Sequence, residues 1–225
     1  MKLFIFFLNT GLAFQENHNE PSQKSVEELY LNSSYYLKNM FRTMDLNIKP
    51  FGRWDDEKKR HDPLIAKVRV SIEHISSVDE RRMQMIITFV LQQHWLDKRF
   101  ARDPHLGHIH VPIRDIPRIW RPDIAIKNAR HTIMQRVITD NHHMVIETTG
   151  DVFYKSELTS TVYCPMKLEN YPMDTQVCTL SFSSFGHYSD ELFLYWNNGS
   201  FLYDEQTTAT ITDFKLNGED LANFV

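Results

Sequence analysis

The chain has 225 residues, 42% of them hydrophobic and 24% charged, with seven glycines and a net charge of −4. That composition supports one sizeable buried core and excludes a disordered polymer, a coiled-coil rod and a collagen-like repeat. The slightly acidic balance offers no general basic face, so no nucleic-acid partner is expected, and past residue 14 no apolar run approaches the ~20 residues of a membrane-crossing helix.

The chain opens with Met1-Lys2, an apolar stretch from Leu3 to Leu8, and small residues up to Ala13. This is the layout of a secretory signal peptide over residues 1–14, ahead of a single domain over 15–225. The alternative is a buried N-terminal strand. Sequons at Asn32 and Asn198 agree with secretion and glycosylation. Ser25-Val26-Glu27-Glu28 has the form of a capping box and predicts a helix from there to about Met40. Asn47 to Pro63 reads as loop, with a charge run from Asp55 to Asp62.

From Leu64 the period becomes two. Leu64, Ala66, Val68, Val70 and Ile72 alternate with Lys67, Arg69, Ser71 and Glu73, the pattern of a half-buried strand. Met83, Met85, Ile87, Phe89 and Leu91 continue it. Asp103 to Pro122 holds four prolines and reads as loop. Further strands are expected at Ile124–Ile126, Thr132–Thr139, Met144–Thr148, Val152–Tyr163, Val177–Phe182, Glu191–Trp196 and Thr207–Leu216. The class is therefore all-β: an immunoglobulin-like β-sandwich of about nine to ten strands with an N-terminal α-helix.

Cys164 and Cys178 match neither a CxxC redox motif nor a zinc knuckle. In an extracellular domain two cysteines are most simply a disulfide, and in a cytosolic one they are free thiols. His105, His108 and His110 cluster in sequence, with His142 and His143 further on, and three histidines can hold zinc. Helical spacing is absent, Pro104, Gly107 and Pro112 mark a loop, and no HExxH-type signature accompanies them. They read as solvated loop histidines, with no metal and no cofactor expected. No Ser-His-Asp or Cys-His arrangement has ordered spacing, so the chain is not read as an enzyme.

Thirteen residues separate the two cysteines, with Tyr171-Pro172-Met173-Asp174 among them. The segment resembles the signature loop of the Cys-loop pentameric ligand-gated ion channels, and its Tyr-Pro-Met-Asp form resembles the anion-selective branch gated by GABA, glycine or glutamate. Trp95-Leu96-Asp97, Trp120-Arg121-Pro122-Asp123 and Ser184-Phe185-Gly186 through Trp196 resemble three more family motifs, in the family's order. The likeness covers roughly Glu27 to Phe214. Pro165 and Pro172 remove backbone donors, so the segment cannot continue a strand ladder. The resemblance implies a Cys164–Cys178 disulfide closing a stiff loop, with Tyr171, Pro172, Met173 and Asp174 as the part that presses on a membrane domain to pass on ligand binding. Otherwise the bridge is a staple joining two sheets of an isolated sandwich.

In this family the ligand sits between adjacent subunits in an aromatic-lined box. The resemblance makes Phe185 the main aromatic of one face, flanked by Ser183 and Ser184, with Ala125 where a second aromatic is usual; the alternative is that Phe185 is core. On the opposite face it implies Val90 and Gln92 from one strand and Phe153 and Lys155 from another. Gln92 stands where glutamate-gated relatives carry arginine, and Glu157 replaces another usual arginine. The competing reading of Lys155 and Glu157 is an exposed ion pair. The implied partners are a small-molecule neurotransmitter and the other subunits of a homo- or hetero-pentamer, on the extracellular side of the plasma membrane. The capping hairpin, last strand and membrane helices of the family are expected beyond Val225; the alternative is a secreted soluble ligand-binding protein of the same fold.

Overall fold

The computed structural model describes residues 34–57, 59–169 and 176–203, the last of these, 197–203, as backbone. A helix, α1, runs through 34–43 and turns Leu37 and Met40 into the core. It extends past the expected end at Met40; its expected capping box lies outside the described residues. The loop expected over Asn47–Pro63 contains a two-residue ladder, β1 (Trp54–Asp55) with β2 (Arg60–His61).

Two long strands follow, β3 (Leu64–Asp79) and β4 (Gln84–Leu96), paired antiparallel. The alternation of β3 buries Leu64, Ala66, Val68, Val70 and Ile72 as expected. At Ile72/His74 and again at Ile75/Ser77 the register slips, and the buried position moves from Ile72 to Ile75. A bulge resets the period of two, so the strand outlasts the alternation that signals it. Met83 belongs to the turn rather than to β4, with a backbone φ of 52°.

After β4, short 3-10 turns and β5 (Ile109–His110) occupy the proline-rich stretch. β6 (Ile124–Ile126) falls where expected. β7 is Ala129–Met134, not Thr132–Thr139: residues 135–141 leave the sheet in a loop closed by Asn141 N–H to Gln135 O. β8 (His142–Ile146) and β9 (Asp151–Tyr163) complete the middle of the chain. Of Val177–Phe182 only Phe182 enters a strand, β10 (Phe182–Ser184), and β11 spans Leu192–Tyr203. Thr207–Leu216 lies outside the described residues.

Seven strands form one sheet in the order β11-β3-β4-β9-β8-β5, with β7 taking the other half of the β9 edge that β8 uses. β6 and β10 form the second layer. Its Phe182 meets Phe89 of the large sheet edge to face, ring centroids 6.1 Å apart, in a cluster with Val68, Val70, Ile87, Leu91 and Val162. A second cluster, around Trp95, Phe100, Ile116, Met144, Ile146 and Val152, takes in Leu37 and Met40 of α1. The architecture is the expected all-β sandwich behind an N-terminal helix. Burial of these apolar side chains contributes about 1.5–3 kcal/mol each. It also fixes which face of every long strand turns outward.

Candidate functional site

Register decides what the outward face of the large sheet carries. Arg69 pairs with Gln92, Gln92 with Lys155, and Lys155 with His143, giving one row across β3, β4, β9 and β8. The adjacent row is Lys67, His94, Phe153 and Val145, and His110 of β5 pairs with Val145 at its end. Neighbouring strands lie about 4.8 Å apart, so each row is a continuous band of side chains.

These rows line an open groove of about 370 Å³. Its lining holds Lys67, Arg69 and Lys155 and two histidines, and no carboxylate. The Arg69 Nε is buried and meets no hydrogen-bond partner among the described residues. The neighbouring acids are engaged elsewhere. Asp151 accepts from Thr149 Oγ1 at 2.6 Å and lies 2.7 Å from His94 Nε2. Burial alone would raise the Asp151 pKa, but these hydrogen bonds, with His94 and Lys67 nearby, bring it below the usual carboxylate range. Glu157 accepts from Asn141 Nδ2 at 2.9 Å, and no ion pair among the described residues joins it to Lys155. The floor of the groove is aromatic: the His94 and Phe153 rings stack at 4.3 Å with 7° between planes.

The β6–β10 layer carries the other candidates. Ser183 pairs with Ala125 and Ser184 with Ile124. Just past β10 the chain turns at Phe185, which is 90% exposed; it is not core. The turn is held by one side chain. Asp123 accepts from Ser184 Oγ at 2.7 Å, from Phe185 N–H at 3.1 Å, and from Gly186 N–H. Ser184 Oγ in turn accepts from His187 N–H at 3.0 Å. Burial opposes ionisation of Asp123, yet the Ser184 and Gly186 hydrogen bonds and nearby His187 outweigh it and hold the carboxyl below its ordinary pKa.

Of the residues expected to share one face, Gln92, Phe153 and Lys155 do line one groove. Val90 shares the parity of Gln92 but is buried and lies outside the lining. Tyr171, Pro172, Met173, Asp174 and Asn32 lie outside the described residues, as does the side chain of Asn198. Among the histidines, His108, His110 and His143 come together, His105 stays in its turn, and His142 turns its Nδ1 toward Tyr154 Oη, 3.3 Å away.

The model of the neurotransmitter-gated ion-channel ligand binding domain family matches residues 33–224. The chain belongs to this family. It is 29% identical over 195 residues to the gamma-aminobutyric acid receptor alpha-like protein of Drosophila melanogaster, covering 86% of this chain and 26% of that one. It is 29% identical over 208 residues to the gamma-aminobutyric acid receptor subunit beta of Caenorhabditis elegans, covering 86% and 36%. A glutamate-gated chloride channel of Drosophila melanogaster is 26% identical over 184 residues, covering 81% and 38%. The chain thus spans between a quarter and two-fifths of the length of these relatives.

As a ligand-binding domain of this family, the chain has its signature cysteines joined: Cys164 and Cys178 form a disulfide with Cα atoms 5.1 Å apart. Asn128 braces the base of that loop, donating to Tyr163 O and Thr179 O and accepting from Ser181 N–H. No helix among the described residues is long and apolar enough to cross a membrane. Sequence reasoning missed Lys67, Arg69, His94 and His143 as groove residues. Their signal was present, since Lys67 and Arg69 occupy the polar parity of β3. Only the pairing register aligns them with Gln92 and Lys155.

Proposed function

We propose that this chain is the extracellular neurotransmitter-binding region of a channel subunit, chloride-selective in the assembled receptor. We infer that its outward groove holds the carboxylate of a small amino-acid-type ligand at the boundary with the next subunit. The observation that carries this is the Arg69–Gln92–Lys155 row, cationic, free of lining carboxylates, and with an Arg69 Nε that has no partner among the described residues. A guanidinium and an ammonium lining one groove, with the Gln92 amide between them, suit a carboxylate through charge-assisted hydrogen bonds. Arg69 stands across the strand pair from Gln92, so a guanidinium enters the same row by another strand. The Phe185 turn of the adjacent subunit supplies an apolar or cation-attracting cover over the groove. Anion selectivity draws on the Tyr171-Pro172-Met173-Asp174 form of the signature loop and on relatives named as GABA receptor subunits and a glutamate-gated chloride channel.

The test is agonist dose–response with GABA and with glutamate in cells expressing the complete subunit, with surface expression as control. Arg69→Gln should raise the half-maximal concentration of the effective agonist by roughly ten- to a hundred-fold, the equivalent of about 1.5–3 kcal/mol for a charged hydrogen bond. An unchanged response at normal surface expression would move the carboxylate site away from this groove.

A further inference from the structure

The edge of the large sheet beside the groove carries a second cluster. His108 and His110 flank Ile109, which is buried at 3% exposure and pairs with Ile146. Anchoring the middle residue turns both flanking side chains to the same outward side, as strand alternation requires. The loop ahead of them is tied down: Arg102 donates to Gly107 O at 2.6 Å and to Ile146 O at 2.9 Å. The two imidazoles therefore meet as neighbours on a fixed backbone, their Nε2 atoms 3.1 Å apart. On the far side of the His110 ring, Nδ1 lies 3.1 Å from His143 Nε2.

We propose that His108 and His110 form a two-nitrogen chelate for a divalent transition metal, Zn2+ or Cu2+, with His143 holding the ring of His110. Two nitrogens bound to one tetrahedral Zn2+ at about 2.0–2.1 Å lie about 3.3–3.4 Å apart, close to the separation already present. Imidazole suits both metals. His110 turns one nitrogen to each neighbour, so no group of three His, Cys, Asp or Glu side chains among the described residues converges on one point. The chelate is accordingly completed by water. The Nδ1–Nε2 contact with His143 has a defined use: an acceptor at Nδ1 keeps the proton there and leaves the Nε2 lone pair of His110 for the metal. All three histidines are exposed, so the pair opens to solvent. Neither His108 nor His110 lines the groove, whereas His143 does. Metal binding therefore does not depend on the groove being a ligand site.

The test is isothermal titration of the folded chain with ZnCl2, and separately CuCl2, after chelator treatment. One equivalent should bind. His108→Asn and His110→Asn should each abolish the isotherm. His143→Asn should weaken it about 10–100-fold, as loss of an orienting partner does. His105→Asn, in the preceding turn, and Lys155→Met, in the groove, should leave it unchanged. In the unsubstituted chain, nitrogen-15 spectra of the imidazoles should show Zn2+ shifting Nε2 of two rings among the eleven histidines. No bound equivalent, an isotherm unaffected by either His108→Asn or His110→Asn, or shifts spread over all the rings would overturn the site.

Discussion

The Asp123 carboxylate accepts the Ser184 hydroxyl hydrogen bond at 2.7 Å, and its other oxygen takes the backbone N–H groups of Phe185 and Gly186. One side chain of the Trp-x-Pro-Asp stretch therefore shapes the turn on which exposed Phe185 stands. Asp123→Ala strips Ser184 Oγ and Gly186 N–H of this acceptor and leaves Phe185 N–H only the backbone carbonyl of residue 123. It should cost about 1–3 kcal/mol, read as a lower urea midpoint, and should raise proteolytic nicking at residues 184–188. A variant as stable as the parent, with the turn uncut, would show that the turn holds without Asp123.

The same carboxylate sets a pH dependence. Its folded pKa is depressed below the ordinary ~3.9, so the unfolded chain binds the proton more readily. Its stabilisation is present in full above that ordinary value and is lost as pH falls through the lower folded value. The Asp123 contribution to the urea midpoint should be constant from neutrality to about pH 5 and fall below about pH 4, whereas any loss that begins below about pH 6.5 belongs to His110 and His142, whose pKa values burial lowers. Asp123→Asn should make that fall shallower without removing it, because Asp151 is shifted in the same direction. Equal acid slopes in parent and variant would show that Asp123 is not among the groups being titrated.

Asp97 is 1% exposed and holds the Arg99 guanidinium through Nε at 2.9 Å and Nη2 at 2.7 Å, while also accepting from the Arg99 N–H. Arg99→Met leaves a buried carboxylate without its cation and should cost about 3–5 kcal/mol. Joint replacement with Asp97→Leu should cost clearly less than the two single changes summed. Simple additivity in a double-mutant cycle would mean that the pair is not coupled.

Gly150 has φ of +92°, and a Cβ there would lie 2.6 Å from Asp97 O. Its own carbonyl accepts from Asp97 N–H at 2.9 Å, so the β8–β9 turn and the end of β4 are locked together at this point. Gly150→Ala combines an unfavourable φ with a backbone clash and should cost at least about 1–3 kcal/mol. Calorimetry checks it; a melting temperature within a degree of the parent would refute the close approach.

Lys155→Met keeps side-chain length and removes the charge. In the complete receptor it should cost about 1.5–3 kcal/mol of agonist affinity, with little effect on domain stability because an exposed charge contributes little. Phe185→Leu should cost about 1 kcal/mol or more where a ligand cation lies on the ring. Dose–response curves superimposable on the parent for both, at equal surface expression, would exclude this boundary as the binding site.

The sandwich was legible because its longest strands keep strict alternation, as Leu64 through Ile72 do, and because the motifs around Trp95, Trp120 and Cys164 carry specific spacing. Strand ends were less legible. The bulge after Ile72 hides the last seven residues of β3, and residues 135–141 have strand-like composition but leave the sheet. The groove was half legible. Gln92, Phe153 and Lys155 follow from parity along single strands, but Arg69 and His143 join them only through register, a relation between distant segments that no local pattern encodes. The pairing of His108 and His110 with His143 was hidden for the same reason, since β5 and β8 meet across a long stretch of sequence.

Among the described strands β11 is the one that runs parallel to its neighbour, with Leu192 beside Leu64 and Trp196 beside Val68. The first long strand made during synthesis therefore waits for the last described one before both of its edges are covered. β3, β4 and β9 pair antiparallel and can assemble as they emerge, whereas the β3–β11 contact closes a loop of more than half the chain, the kind of pairing that slows folding. During that interval the Leu64–Ile72 edge is open to pairing with other chains. Losses in β11 should therefore appear first as aggregation and low yield of the newborn chain, ahead of any change in what the finished domain recognises.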